Sequence, residues 1–280
     1  MHPPKFPVPT PSIYSILKEK VNQYFRQQNI STTGNTKLYI KSAILLVAFF
    51  SVYIHLLFFT PASWLAIIEC VLLGLFTASI GFNIMHDGAH GSYSRSRKIN
   101  TIAAYSLDIL GASSFMWNTK HNVVHHAYTN IDGLDDDIDA GILLRINKEQ
   151  RYYPIHRYQY LYFWFLYALL YVSWVFYADY KKYFSRKVGN VPLKKLSTKD
   201  HILFWSFKVL HLFTFILLPI YLLGFGKWII GFLIYTCVTG FILSIVFQLA
   251  HVVEETAFPL AVQPVNKMED EWALHQLKTT

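Results

Sequence analysis

Long apolar stretches constrain this chain more than any other feature. Residues 42–60, 63–85, 202–223 and 228–250 each come close to or exceed the ~20 apolar residues that a helix needs to cross a bilayer. The 280 residues are 53% hydrophobic and only 15% charged, which is less charge than a soluble domain of this length normally carries. We therefore predict an all-α integral membrane protein with four transmembrane helices.

The charge of the polar segments predicts how these helices are arranged. The loop 181–199 contains seven Lys and Arg residues and no acidic residue, which places it in the cytoplasm by the positive-inside rule. The first two and the last two apolar stretches then form two hairpins that open to the same side. We predict a cytoplasmic N-terminal segment at 1–41 and one membrane domain at 42–280.

Two other apolar segments are predicted to lie at the membrane interface. Residues 101–116 are too short to span and contain Asp108. Residues 160–178 are rich in Trp and Tyr, which favour the headgroup zone, and we interpret them as an interfacial or re-entrant helix. The alternative is that 160–178 spans, which would give five spans and place the basic loop outside.

The formal net charge of +8 is explained by basic cytoplasmic loops, so we expect no nucleic-acid partner. The two cysteines, Cys70 and Cys237, lie within apolar stretches, where a free thiol behaves as a small hydrophobic group. Neither a disulfide framework nor a C-x-x-C metal motif is present in the sequence.

Histidines cluster where the predicted hairpins open. One pair with i, i+4 spacing follows the second span, a group of three lies in the polar segment 117–158, and one histidine ends the last span. The candidate metal ligands are His86, His90, His121, His125, His126 and His251. Six imidazoles exceed the four ligands of a single zinc site, so they favour a pair of redox metals over one zinc ion.

Polar side chains near the histidines supply candidate supporting residues. Residues predicted to orient the ligands by bonding to their second ring nitrogen or supporting them nearby are Asp87, Asn122, Asp135 and Asp136. The neighbouring acids Asp132, Asp137 and Asp139 are candidates for the same role, and the alternative for some of them is ordinary solvation. Residues predicted to contact a substrate headgroup are Lys120, Arg145 and Arg157. The alternative for these cations is an ordinary basic surface facing the membrane.

The motifs around these histidines resemble a known family. His86 to His90 is followed by Gly-Ser-Tyr-Ser, and Trp-Asn-Thr-Lys-His-Asn-Val-Val-His-His runs from Trp117 to His126, followed by Thr129-Asn130 and by Gly133 to Asp137. From about residue 80 to the end, the chain resembles membrane fatty acid desaturases. The second motif is similar to that of the front-end and linoleoyl-CoA desaturase branch, including its bacterial members.

The resemblance implies an oxidoreductase with a histidine-ligated di-iron centre in a cytosolic cap. Such an enzyme uses O2, which is reduced to water, to place a cis double bond in an acyl chain of an acyl-CoA or acyl-lipid. The implied electron donor is a separate b-type cytochrome or ferredoxin with its reductase. The implied location is a bacterial inner membrane, with the active site on the cytoplasmic face. No residue is predicted to be catalytic apart from the metal ligands.

One departure from the family pattern leaves alternatives open. The family has a third motif, Gln-x-x-His-His, which is absent from residues 1–280. We expect that the sequence is incomplete at its C-terminus and that this stretch alone is inactive. Other hypotheses are a related di-iron lipid hydroxylase or sphingolipid desaturase, a catalytically inactive relative, and a histidine-rich metal transporter.

Overall fold

A computed structural model describes residues 3–59 and 61–280. Residues 1 and 2 of the predicted N-terminal segment, and the predicted end of the first span at residue 60, lie outside the described residues. The elements in chain order are α1 (Ile13–Gln27), α2 (Thr36–Phe58), α3 (Ser63–Ala89), α4 (Arg97–Ala104), α5 (Ser106–Ile109), α6 (Ser114–Asn118), α7 (Pro154–Ala168), α8 (Leu170–Ser185), β1 (Lys187–Val188), β2 (Val191–Pro192), α9 (Thr198–Leu223), α10 (Phe225–His251) and α11 (Trp272–Thr279).

Within the described residues, four helices, α2, α3, α9 and α10, are long and apolar enough to cross a membrane, which confirms the predicted number. Two of them begin earlier than predicted because polar residues cap them. Asn35 accepts a hydrogen bond from the Leu38 amide at 3.2 Å, so α2 begins at Thr36 and not at residue 42. Ser197 and Asp200 form a capping box that starts α9 at Thr198.

Helices α3 and α10 pack closely because a glycine lies between them. A Cβ atom added to Gly74 would lie 2.9 Å from the Tyr235 carbonyl oxygen and 2.9 Å from the Val238 side chain. Small residues allow this approach in membrane proteins, where helix association depends on packing. The contact joins α3, the second helix of the first hairpin, to α10, the second helix of the other. These two helices carry the first and last candidate ligands.

The single interfacial helix predicted over 101–116 is wrong in detail. This region contains α4, α5 and the start of α6, separated by short breaks. Gly111 has a φ of +99°, which interrupts a helix, and a Cβ atom there would meet the His211 ring at 2.6 Å. The chain bends at this point so that it passes closely over α9.

The segment predicted as one interfacial or re-entrant helix over 160–178 is a bent pair of helices. α7 and α8 meet at an angle of 59° near Leu169. A Cβ atom added to Gly240 of α10 would lie 2.4 Å from the Ala168 carbonyl oxygen, so the bend rests directly on that span. The four spans become five only if this bent pair is counted as one span.

The N-terminal segment contacts the C-terminal end of the described chain. The main chain of Lys5 exchanges hydrogen bonds with that of Asn266 and Met268 at 3.2 and 2.9 Å. The Ile13 amide donates to Glu271 at 2.7 Å, and Tyr14 packs edge-on against Trp272. Residues 3–14 therefore form part of the cap.

We predict that Gly74→Leu lowers the thermal unfolding temperature of the purified protein, because the larger side chain does not fit between α3 and α10. The expected loss in the free energy of unfolding is about 1–3 kcal/mol. Thermal unfolding in detergent followed by tryptophan fluorescence measures the change. The matched control is Gly226→Leu, since no atom lies within 4 Å of a Cβ added there. Equal unfolding temperatures for the two variants would contradict this packing.

Candidate metal centre

The six predicted ligands come together in a single group, which we call the histidine cluster: His86, His90, His121, His125, His126 and His251. Its rings form a continuous row. The His86 and His90 rings are 4.4 Å apart, and the His125 and His251 rings are 4.3 Å apart at the other end. His121 lies between the two ends, 5.3 Å from His90 and 5.1 Å from His125.

π-Helical turns place two parts of the cluster. One turn, Gly81–Met85, directly precedes His86 in α3, and another, Thr119–His125, lies within the second motif and contains His121 and His125. A π turn inserts a residue and so rotates the following side chains relative to a regular helix. In the second turn the His126 amide bonds to the His121 carbonyl at 3.0 Å, and the two rings lie 4.6 Å apart.

Aspartates hold two imidazoles from behind. His125 is fully buried, and its Nδ1 lies 2.9 Å from the Asp135 carboxylate. The Asp137 carboxylate lies 3.6 Å from His121 Nδ1 and 3.4 Å from His125 Nδ1. A carboxylate at one ring nitrogen orients the imidazole and strengthens the other nitrogen as a metal ligand.

The remaining predicted supporting residues make other contacts. Within the described part of the chain, Asp136 pairs with no imidazole, and it lies 3.3 Å from the Lys182 ammonium. Asp87 lies 3.8 Å from His86 Nδ1. Asn122 donates at 3.0 Å to the Ala89 carbonyl, so it ties the second motif to the residue before His90.

Some supporting residues were missed by the sequence analysis. The Trp117 ring stacks on His121 with centroids 4.4 Å apart. Asn130 is fully buried and donates to the carbonyl oxygens of His251 and Thr279 at 2.8 and 2.9 Å. Both residues belong to the motifs that resemble the desaturase family, and their place in these motifs could have indicated a role near the histidines. Asp137, by contrast, was among the acids named as candidates to orient imidazoles, and it lies beside His121 and His125.

The residues predicted to contact a headgroup already have partners within the chain. The Lys120 ammonium lies 2.7 Å from Asp137, and Arg145 Nε donates to the Gln150 carbonyl at 2.8 Å. Arg157 is exposed and stacks on Tyr158. Their assignment to a headgroup stays a prediction.

Burial and neighbouring charges change the pKa of the cluster histidines that lie outside the spans. Desolvation and the neighbouring imidazoles lower the pKa of His90 and of His126 to about 4, so both rings are neutral at neutral pH. Burial also disfavours the charged form of His125, but the hydrogen bond to Asp135 and the Asp137 charge outweigh it and raise its pKa. Neutral imidazoles offer the lone pairs that a metal requires.

Unpartnered nitrogens show that the cluster fits a metal. His121 Nε2, His126 Nε2 and His251 Nδ1 are buried and have no hydrogen-bond partner among the described residues. Buried polar atoms are rarely left in this state, because an unmade hydrogen bond costs about 1–3 kcal/mol. One set of potential ligand atoms, from His86, His90 and His121, lies within 4.8 Å of one another.

A small apolar cavity lies beside the cluster. Its volume is about 20 Å³, which is enough for about one water molecule, and His86 is one of its lining residues. Thr77, Leu107, Leu110, Ala112, Trp174 and Phe247 are among the other lining residues. Tyr171 also lines the cavity, and its hydroxyl lies 3.0 Å from that of Tyr235.

Comparisons with known proteins agree with this site. The fatty acid desaturase family profile matches residues 62–280. An sn-1 linoleoyl-lipid 6-desaturase from Arthrospira platensis is 34% identical over 94% of this chain and 72% of the relative. A Synechocystis sp. protein of the same name is 32% identical, over 95% of this chain and 74% of the relative.

An acyl-lipid (8-3)-desaturase from Physcomitrium patens is 33% identical over 95% of this chain, which spans just over half (56%) of that relative's length. No solved structure is significantly similar to the chain. The family profile covers most of the chain and includes every member of the histidine cluster. The chain therefore belongs to the fatty acid desaturase family and resembles its front-end, cyanobacterial members.

Proposed function

We propose that this protein is an O2-dependent desaturase that places a cis double bond in the acyl chain of a membrane lipid or acyl-CoA. The observation that carries the proposal is the meeting of six histidines in one cluster, one of which, His86, also lines an apolar cavity. The names of the relatives favour desaturation over the related hydroxylation, and acyl-lipid substrates over acyl-CoA.

The proposed ligands of two iron ions are the six residues of the histidine cluster. Imidazole is a suitable ligand for iron, and neutral rings with unpartnered nitrogens support this assignment. Bound iron would supply the activation of O2 that removal of hydrogen from an unactivated chain requires. Asp135 and Asp137 would hold His121 and His125 in position.

The acyl chain is proposed to bind along the residues that line this cavity. They must move apart to admit the chain, because a volume of about 20 Å³ is too small for it. The apolar lining would exclude water from the reacting carbon atoms. His86 belongs to this lining, so a chain bound here would pass beside the proposed metal ligands.

The overall reaction needs electrons from outside. Two C–H bonds are broken, one C=C bond forms, and O2 becomes two water molecules. The chain supplies two of the four electrons, and a separate donor must supply the other two, together with two protons from solvent. We propose a b-type cytochrome or a ferredoxin with its reductase as donor. The basic loop 181–199 supports a cytoplasmic site in a bacterial inner membrane.

We predict that Asp135→Asn weakens iron binding by about 10–100-fold, because His125 loses the carboxylate that orients it. Competition with a chelator, followed by metal analysis of the purified protein, measures the affinity. Asp139→Asn is the control, since Asp139 is exposed and accepts a hydrogen bond only from the Gly141 amide. Unchanged iron affinity of Asp135→Asn would refute the orienting role.

We predict that Ala112→Phe reduces desaturation at least about tenfold while iron content is unchanged, because the ring fills the cavity beside His86 and leaves no space for the acyl chain. Product analysis by mass spectrometry and metal analysis of the same sample measure both effects. The matched control is Ala140→Phe, at an exposed loop position. Wild-type turnover by Ala112→Phe would exclude this cavity as the substrate site.

We predict that His125→Ala abolishes desaturation without preventing membrane insertion, because a ligand is lost from the middle of the second motif. Expression from the gene in a heterologous host, followed by analysis of total fatty acids, measures the product. His201→Ala is the control, since its ring bonds to Tyr183 and lies outside the cluster. Retained activity of His125→Ala, or hydroxylated chains as the sole wild-type product, would count against the proposal.

A further inference from the structure

A basic surface lies beside the metal centre and has no role in the mechanism above. Residues 181–199 form a segment that we call the basic hairpin, since β1 and β2 pair within it. Its exposed cations are Lys181, Arg186, Lys187, Lys194, Lys195 and Lys199. The segment contains no acidic residue, and among the described residues none of these six cations forms an ion pair.

The acids that flank the basic hairpin do not neutralise it. Asp179 is fully buried and pairs with Lys208 at 2.9 Å. Asp200 accepts hydrogen bonds from Ser197 in the cap of α9 and offsets part of the charge of the adjacent Lys199, so one negative charge faces six cations. The six cations therefore leave a positive field that extends over this face of the cap.

The basic hairpin has a fixed position on the second histidine motif. Val188 is fully buried and belongs to an apolar cluster with Val124, the residue before His125. Asn190, in the turn between the strands, donates at 3.0 Å to the Gly133 carbonyl in the loop that carries the orienting aspartates. A partner bound to this hairpin would lie against the support of the metal ligands.

A chain of polar contacts leads from the basic hairpin to the ligands. Lys182 lies 3.3 Å from Asp136, which lies 3.8 Å from Lys120. Lys120 lies 2.7 Å from Asp137, which in turn lies 3.6 Å from His121. Two side-chain carboxylates and one lysine thus separate the hairpin from a proposed metal ligand. The ion pairs with Lys182 and Lys120 also neutralise Asp136 and Asp137, the acids in this chain of contacts.

We infer that the basic hairpin is the docking surface for an acidic electron-carrier protein. This inference rests on the proposed function, since desaturation needs two electrons that the substrate does not supply. Electron transfer becomes steeply slower with distance, so the carrier must bind close to the cluster. Opposite charge on the two surfaces would orient the carrier and speed its association. A lipid headgroup requires only positive charge at the membrane surface. Its binding would not depend on the contact between the hairpin and the loop that carries the orienting aspartates.

The test measures binding of a soluble [2Fe–2S] ferredoxin, and in parallel the soluble haem domain of a b-type cytochrome, to the purified protein in neutral-lipid nanodiscs. We expect Lys194→Glu with Lys195→Glu to raise the dissociation constant of at least one carrier by about tenfold at low salt. High salt should weaken binding to the wild type and remove the difference between the two proteins. Lys194→Arg with Lys195→Arg should bind as the wild type does.

The control is Lys18→Glu with Lys20→Glu, which changes the net charge equally but lies on α1. Equal weakening by both double variants, or no binding of either carrier to the wild type, would overturn the inference. A second measurement compares the stability of the same proteins in anionic-lipid nanodiscs. The inference would also fail if the hairpin variant loses the stabilisation that these lipids confer but still binds both carriers normally, because the surface would then bind lipid headgroups. Binding is measured without turnover. Absence of desaturated product from the wild-type protein expressed from its full-length gene, with a chemical reductant, would instead refute the proposed function.

Discussion

The buried contact between His125 and Asp135 joins the parts of the site that come from distant regions of the sequence. Both side chains have no solvent exposure. The same carboxylate accepts hydrogen bonds from the amides of Asn130 and Asp137 at 2.9 and 3.0 Å, so it fixes the loop that follows the second motif. Removing one partner of such a buried pair typically costs about 3–5 kcal/mol, because the other is left without compensation.

Through Asn130 this support reaches the last transmembrane helix. The Asn130 amide group holds the main chain of His251 and of Thr279, and Trp272 and Gln276 bond to the His126 carbonyl. Helix α11 therefore covers the cluster and is tied to it by several hydrogen bonds. His275, in the same helix, bonds to the Thr129 carbonyl at 2.8 Å and supports the cap without joining the cluster.

Sequence patterns were sufficient to predict the number of candidate spans and to place the six histidines in one group. These predictions were possible because each long apolar helix carries the chain to the other side of the membrane. Counting the spans therefore shows which polar segments lie on the same side and can meet. The π turns at Gly81–Met85 and Thr119–His125 were not predictable, since they depend on tertiary contacts and leave no periodic signal. The break at Gly111 arises from close approach to His211, which is also a tertiary effect. For the same reason Trp117 was missed, because its role depends on which ring it contacts.

The proposed desaturase requires that the histidine cluster hold a pair of iron ions beside the acyl chain. The decisive measurement is metal quantification combined with iron X-ray absorption spectroscopy on the protein purified from its full-length gene. We expect two irons per chain, with histidine nitrogen as the main ligand to iron. One zinc per chain without iron, or iron bound mainly by oxygen ligands, would refute the proposed centre.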